Sequence, residues 1–356
     1  MTSGAISKES ETLKYGIIGY GGMGAIRHNA MRAIGQNVAH KIYEIRPVPE
    51  FRDLLVDDYR KIIDDPEIEA VIICTPNFLN KKLTIEALKA GKHVFCEKPP
   101  AFNGTEMEEI IEVEDQANRV LMYGFNHRHH GGSIKIRETI ESGEYGRVLW
   151  LRGRYGKSVD ENYFGNWRAN KELAGGGILL DQGIHMLDLF LQIGGDFDEM
   201  HAFVSNLYWK LPGIEDNVFA IFRNSTSGTC ASLHSTMTQW RHLFSFEVFL
   251  ERGYMVLNGL KTPSGTYGAE ALSIAKNRSN APAATWEDEE VHRYDVDQSW
   301  EREMANFVAA VNGTVTPRSR DSFEALRVMR MIDRIYDNER HQSGQLFTKL
   351  NGEMSL

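Results

Sequence analysis

Residues 16 to 24 read Gly-Ile-Ile-Gly-Tyr-Gly-Gly-Met-Gly. The run Lys14 to Ile18 suits the end of a buried parallel strand. Gly19, Gly21 and Gly24 then supply the Gly-x-Gly-x-x-Gly spacing of a dinucleotide-binding turn, with Gly22 and Met23 inside it. Gly19 suits the tight turn, Gly21 lets the backbone approach a pyrophosphate, and Gly24 lets the following helix pack closely on the strand. The pyrophosphate would sit at that helix's N-terminus, where unpaired N–H groups and the helix dipole favour an anion.

Among 32 glycines this spacing means little alone, so its surroundings matter. Ile26, Ala30 and Ile34 lie four apart on one helix face before Gly35 stops it. A second strand, Val38 to Tyr43, ends at Glu44, where an acidic residue is expected to accept hydrogen bonds from the adenosine ribose hydroxyls. The charge of Glu44 would repel a 2′-phosphate, so NAD is expected in preference to NADP. Arg46 is the residue that could pair such a phosphate.

At 356 residues the chain is too long for one ordinary core, and two domains are expected. Hydrophobic content of 42% and charged content of 25% are those of a soluble globular protein. A formal charge of −9 argues against a nucleic-acid partner. No apolar run approaches the ~18 residues of a membrane span. Residues 1 to 12 are polar without an apolar signal core, so a loose leader and a cytoplasmic location are expected. Cys74, Cys96 and Cys230 are too few for a disulfide framework or metal cluster.

After Glu44, only 26 residues precede Val71, fewer than the ~30 of a full strand and helix unit. The third unit of the first sheet half is therefore expected to be abbreviated. Ala70 to Cys74 reads as a buried strand ending in Thr75-Pro76-Asn77, which would line the ligand crevice. A helix from Asn80 to Ala90 leads to the strand His93 to Cys96, which delivers Glu97-Lys98-Pro99 to the same rim. Thr105 with Glu108 reads as a capping box for a helix to about Asn118. Val120 to Phe125 is a further strand, ending at Asn126. This alternation predicts an α/β Rossmann domain over 13–126 with a doubly wound parallel sheet.

The pattern then changes. A helix at Ser133 to Ser142 is followed by strands at Val148 to Tyr155, Met200 to Trp209, Val218 to Phe222, Gly228 to Met237, Phe244 to Leu250 and Tyr254 to Leu257. Strands without intervening helices predict an α+β C-terminal domain over 127–356, built on an open, mainly antiparallel sheet. A C-terminal helix over 321–338 would pack back on the first domain. Leu149, Leu151, Phe203, Val218 and Ile221 could supply an exposed apolar face, so a homodimer or homotetramer built sheet to sheet is expected.

Lys98, between an apolar strand and two prolines, sits oddly for a surface lysine in a turn and suits a group that bonds a reacting hydroxyl. Asp181 and His185 are four apart after Gly175-Gly176-Gly177. They read either as a helix-surface ion pair or as an imidazole oriented by a carboxylate for proton transfer. The glycines favour the second by permitting close approach of a ligand. Consecutive His127, Arg128, His129 and His130 cannot easily all face one ion, so they predict a basic lining rather than a metal site.

Together the opening glycine motif, Cys-Thr-Pro-Asn at 74–77, Glu97-Lys98-Pro99 and Gly-Gly-Gly-Ile-Leu-Leu-Asp-Gln-Gly-Ile-His-Met-Leu-Asp at 175–188 resemble the Gfo/Idh/MocA oxidoreductases. This family includes glucose-fructose oxidoreductase and inositol dehydrogenase, and the likeness spans nearly the whole chain in order. It implies NAD(P)-dependent hydride transfer at a hydroxyl-bearing carbon of a sugar, nucleotide sugar or polyol. It assigns Lys98, Asp181 and His185 to catalysis, sets Trp167 and Arg168 beside cofactor and substrate, and leaves Arg128 and Tyr155 as substrate contacts. The segment Gly153 to Lys157 is similar to members associated with surface-polysaccharide sugars. The alternative is a catalytically silent dinucleotide-sensing regulator on the same scaffold.

Overall fold

The computed structural model describes residues 12–36, 39–276, 285–315 and 320–353. All of the expected leader except Thr12 lies outside the described residues, as does Val38 of the second strand. Strand β1 (Tyr15–Ile18) is buried at every position, because a parallel sheet covered on both faces selects continuous apolar runs. It passes through Gly19 into α1 (Gly22–Ala33) and β2 (Lys41–Tyr43). Then follow β3 (Leu55–Val56), α2 (Arg60–Ile63), β4 (Ala70–Ile73), α3 (Asn80–Lys89), β5 (His93–Cys96), α4 (Gly104–Ala117) and β6 (Leu121–Tyr123). All six strands pair in parallel in the order β3-β2-β1-β4-β5-β6. The order reverses between β1 and β4, which opens a crevice at their carboxyl ends.

The abbreviated third unit is a two-residue strand and a four-residue helix. Helix α4 is capped by Asn103, whose side chain accepts from the Glu106 N–H, while the Glu106 carboxylate accepts from the Phe102 N–H. The cap thus lies two residues before the expected Thr105, because an Asx side chain serves as well as a hydroxyl there.

The second domain contains α5 (Gly131–Glu141), β7 (Val148–Ser158), α6 (Lys171–Ala174), α7 (Ile184–Gly194), β8 (Glu199–Ser205), β9 (Asn217–Arg223), β10 (Cys230–Thr236), β11 (Thr238–Leu250), β12 (Gly253–Asn258), β13 (Glu270–Lys276) and β14 (Glu290–Tyr294). The chain closes with α8 (Ser299–Val311) and α9 (Asp321–Glu353). The sheet order is β14-β13-β12-β11-β7-β10-β9-β8, antiparallel throughout except for the parallel pair β7 and β10. Strand β13 escapes sequence reading because Glu-Ala-Leu-Ser-Ile-Ala-Lys is rich in helix formers. Strand β8 stops at Ser205 rather than Trp209, since the N–H groups of Leu207, Tyr208 and Trp209 turn onto the Asp216 carboxylate.

Helix α7 is buried from Ile184 to Leu191, packed between one sheet face and α9. The opposite sheet face is open and carries Phe203, Phe219 and Ile221. Leu151 and Val218, expected on that face, point into the core instead, and Leu149 falls at a register shift. Val218 and Ile221 are three apart on β9, so alternation itself places them on opposite faces, while for Leu151 alternation alone does not say which parity faces out.

The expected division at residue 126 is not a clean cut. Met304, Phe307 and Val308 of α8 join Tyr15, Ile17, Ile42 and Phe95 in one core, so α8 completes the Rossmann domain. Helix α9 packs on α4 and β6 as well as on β8, and Asp321 and Asp333 accept from the N–H groups of Tyr123 and Gly104.

Candidate active site

The glycine turn has the shape a dinucleotide needs. Gly19 adopts φ +89°, and a Cβ there would strike the Cys74 carbonyl. A Cβ at Gly24 would overlap the Gly19 carbonyl, so the α1 axis approaches the turn only because that residue is glycine. At Gly21 a Cβ would meet only the end of the Arg46 side chain, and at Gly22 nothing. The two central glycines therefore present bare backbone and a helix N-terminus to the crevice, a cradle suited to a pyrophosphate.

Glu44 lies at the tip of β2, where its carboxylate accepts from the N–H of Tyr20 (2.8 Å) and of Arg46 (3.2 Å). Burial works against its charge, but the Arg46 side chain and these amides hold the carboxyl below its ordinary range. An ionised, positioned carboxylate is what a ribose diol requires.

From this turn a cleft of about 880 Å³ runs between the two domains. Gly19, Gly21, Gly22, Met23, Glu44, Arg46, Thr75, Pro76, Asn77, Glu97 and Asn126 line its Rossmann side, and Lys98, Tyr155, Trp167, Arg168, Asp181 and His185 its far end. Gly24 packs beneath the turn. Arg128 is not on the wall. Its guanidinium is bound by Asp188 at 2.5 and 2.8 Å and by Asp321 at 2.6 Å, so it ties the short 3₁₀ turn Asn126–His129 to α7 and α9 and has no charge to offer a substrate.

Of the expected basic lining, His127 and His130 reach the cleft wall, but both are engaged by other side chains. His130 pairs with Glu270 at 2.8 Å, and His127 bonds the Tyr155 hydroxyl at 2.9 Å. Burial, then the crowding of His185 and His130 against it, holds His127 well below the usual imidazole range, and burial takes His129 down to about 3. Among the described residues no group of three or more His, Cys, Asp or Glu could hold a metal.

Lys98 lies two residues beyond β5 and reaches the second domain, donating to the Asp181 carbonyl and lying 3.4 Å from its carboxylate. Burial lowers its pKa from the lysine value, and Asp181 opposes this. Asp181 does not orient His185. Residues Leu179–Gly183 form a π turn, which breaks the α-helical register that would stack positions four apart. The Asp181 carboxylate turns instead to Lys157 at 3.0 Å and Arg168 at 3.5 Å. Despite burial, Lys157, Lys98 and Arg168 hold it well below its ordinary pKa.

His185 is oriented by stacking on His127, with centroids 3.9 Å apart. Burial and then the Lys98 charge push its pKa well down, so the ring is neutral, and its buried Nδ1 has no hydrogen-bond partner among the described residues. A neutral imidazole beside a lysine at one end of a dinucleotide cradle can accept a proton from a hydroxyl while the ammonium bonds the same oxygen.

Two features escape sequence reading. Arg27, three residues after Gly24, is fully buried between the Phe95 and Trp300 rings and pairs with Glu97 at 2.6 Å and Glu303 at 2.5 Å. Glu303 lies 276 positions away, so no local pattern links the two. Lys157 stands in the quoted segment 153–157, but nothing there says that it points into the cleft.

The model for the oxidoreductase family with an NAD-binding Rossmann fold matches residues 13–125, and that for the GFO/IDH/MocA C-terminal domain matches residues 133–256. Levoglucosan dehydrogenase of Pseudarthrobacter phenanthrenivorans is 39% identical over 150 residues, 42% of this chain and 38% of that protein. Myo-inositol 2-dehydrogenase of Thermotoga maritima is 30% identical over 193 residues, 52% of this chain and 55% of that protein. The chain thus spans about half the length, or less, of these curated relatives. A solved structure of levoglucosan dehydrogenase in complex with NADH superimposes with a TM-score of 0.79 at 25% identity, covering 92% of this chain and 97% of that one. The same enzyme has been solved with NADH and levoglucosan.

Proposed function

Because the chain belongs to the GFO/IDH/MocA oxidoreductases, we propose that it is an NAD-dependent dehydrogenase or reductase acting on a hydroxyl-bearing carbon of a sugar, nucleotide sugar or polyol. The observation that carries this reading is the convergence of Lys98 and a neutral, singly unpartnered His185 at the far end of a cleft that begins at the glycine cradle. When bound, the nicotinamide supplies the acceptor or donor of hydride. Gly21 and Gly22 receive the pyrophosphate, and Glu44 accepts from the ribose hydroxyls. Trp167 and Arg168 border the junction of cofactor and substrate.

In the oxidative direction His185 takes the substrate hydroxyl proton, and Lys98 hydrogen-bonds the same oxygen and stabilises the charge developing on it. In the reductive direction both steps reverse. Asp181 keeps Lys98 in place rather than serving His185. Turnover of NAD with a sugar panel tests the reading, as set out in the Discussion.

NAD is the expected cofactor. A 2′-phosphate beside ionised Glu44 meets a like charge, and such contacts cost several kcal/mol. Fluorescence titration is expected to give NADH a Kd at least tenfold below that of NADPH, and Glu44→Gln should narrow the gap. Tighter NADPH binding by the unmodified protein, with Arg46 released to the phosphate, would reverse this assignment.

The open face of the second sheet supports a dimer or dimer of dimers. Phe203 is 57% exposed and Ile221 60%, and Trp150, Phe249 and Tyr254 stack beside them, an apolar expanse of the kind that seeks a partner. Light scattering at micromolar concentration should give a multiple of the 40.4 kDa chain mass, and Phe203→Asp with Ile221→Asp should shift it toward the monomer. A monomeric mass for the unmodified protein sinks the proposal. Cys74, Cys96 and Cys230 are free thiols, which suits a cytoplasmic location.

A further inference from the structure

Asp181 is contacted by three cations, Lys98, Lys157 and Arg168, at 3.4, 3.0 and 3.5 Å. One carboxylate offsets one of them. Of the other carboxylates on the cleft wall, Glu44 pairs with Arg46, and Glu97 shares the single charge of Arg27 with Glu303. The nearby imidazoles of His127 and His185 are neutral, as their burial requires. Asp181 set against Lys157 and Arg168 leaves one surplus positive charge, which a charged Lys98 raises to two; the Glu97–Arg27–Glu303 triad offsets one of these when both of its carboxyls are ionised.

The surplus is aimed into the cleft rather than out to bulk water. Lys157 is 23% exposed and Arg168 33%, and both line the cavity. The Arg168 guanidinium lies over the Trp167 ring at 4.3 Å, and the Lys157 ammonium is 5.9 Å from the centre of the Tyr163 ring. These contacts hold the cations in position without neutralising them. Arg168 carries five N–H donors, and among the described residues its side chain reaches only the Asp181 carboxylate, at 3.5 Å. A neutral polyol would leave these donors without an acceptor of matching charge when it closed the cleft, which is costly.

We propose that the substrate carries an anionic group, a carboxylate or a phosphate, bound by Lys157 and Arg168 beside the reacting carbon. This rests on the dehydrogenase reading of the same cleft and narrows its substrate class to sugar acids and sugar phosphates. Both cations touch the carboxylate that also holds Lys98, so the anionic group sits on the reacting sugar itself and not at the far end of a long substituent. Arg168 suits it as a planar fork for two oxygens, and Lys157 as a point charge.

The test uses the NADH-loaded protein titrated with matched sets of hexoses, hexuronates and hexose 6-phosphates, with NAD reduction measured in parallel on the same compounds. A charged member should bind roughly tenfold to a hundredfold more tightly than its neutral counterpart, the range of one or two hydrogen bonds to charged groups. Lys157→Gln and Arg168→Gln should each shrink that ratio, read as the KM of the charged member against that of its neutral counterpart. Equal or weaker binding of the charged members, or no binding by any member, overturns the inference. So does a Lys157→Gln variant that loses more NADH affinity than charge selectivity, which would give the lysine to the dinucleotide phosphates. Turnover of neutral sugars without preference for charge overturns the inference and leaves the dehydrogenase reading standing. Tight, charge-selective binding without any NAD reduction upholds the inference and removes that reading.

Discussion

Replacing Lys98 with alanine is expected to lower kcat by roughly 10² to 10⁴, the contribution of one positioned proton-transfer or charge-stabilising group, while NADH affinity changes little. The expectation follows from location. Lys98 lies at the far end of the cleft from the glycine cradle, and its removal does not strand Asp181, which keeps Lys157 and Arg168. The fold should therefore survive, and the loss should appear in turnover. His185→Ala should fall in the same range. The double variant should lose less than the product of the single losses, because groups that act as a unit are not additive. Stopped-flow or steady-state kinetics with a turned-over substrate, alongside NADH titration, reads both quantities. Near-normal kcat in either variant removes that residue from the mechanism.

Arg27→Met is expected to destabilise the protein by about 3 to 5 kcal/mol, the cost of leaving the partners of a buried ion pair uncompensated. The guanidinium is wholly buried and bridges Glu97 beside the catalytic lysine to Glu303 on α8. Burial raises the Glu303 carboxyl to about 7 even with Arg27 beside it, so without the arginine both carboxyls lose the group that favours their ionised form. Urea denaturation should show the midpoint fall with an unchanged slope, and adding Glu97→Gln and Glu303→Gln to Arg27→Met should recover much of the loss. A single variant as stable as the parent would mean that the triad does not hold α1, β5 and α8 together.

The cofactor half of this molecule is legible in its sequence because it is local. Gly19 to Gly24 and Glu44 lie within a few tens of residues, and Gly19 and Gly24 answer backbone demands that only glycine meets. The identities of Lys98, Asp181 and His185 are legible through their motifs, but their partnerships are not. A four-residue spacing predicts that Asp181 and His185 meet only if the helix is regular, and the π turn at Leu179–Gly183 sends the carboxylate to Lys98, Lys157 and Arg168 instead. Arg128 reads as a free cation until Asp188 and Asp321 are brought to it across 60 and 193 positions. The parity of β7 fails for a similar reason, since alternation marks two faces and tertiary packing alone selects which one is buried. Likewise α8 returns to cover β1 and β5 from the far end of the chain, a contact without local signature.

The central claim is that this cleft transfers hydride between nicotinamide and a sugar carbon. Its most direct measurement mixes the protein with NAD and a panel of pyranoses, uronates, sugar phosphates and polyols, and follows NADH formation by absorbance, with Lys98→Ala as the control. The account predicts NADH formation with at least one member at a rate that collapses in the Lys98→Ala protein. Stoichiometric NADH binding with no turnover of any member, in either direction, would contradict it and describe a dinucleotide sensor instead.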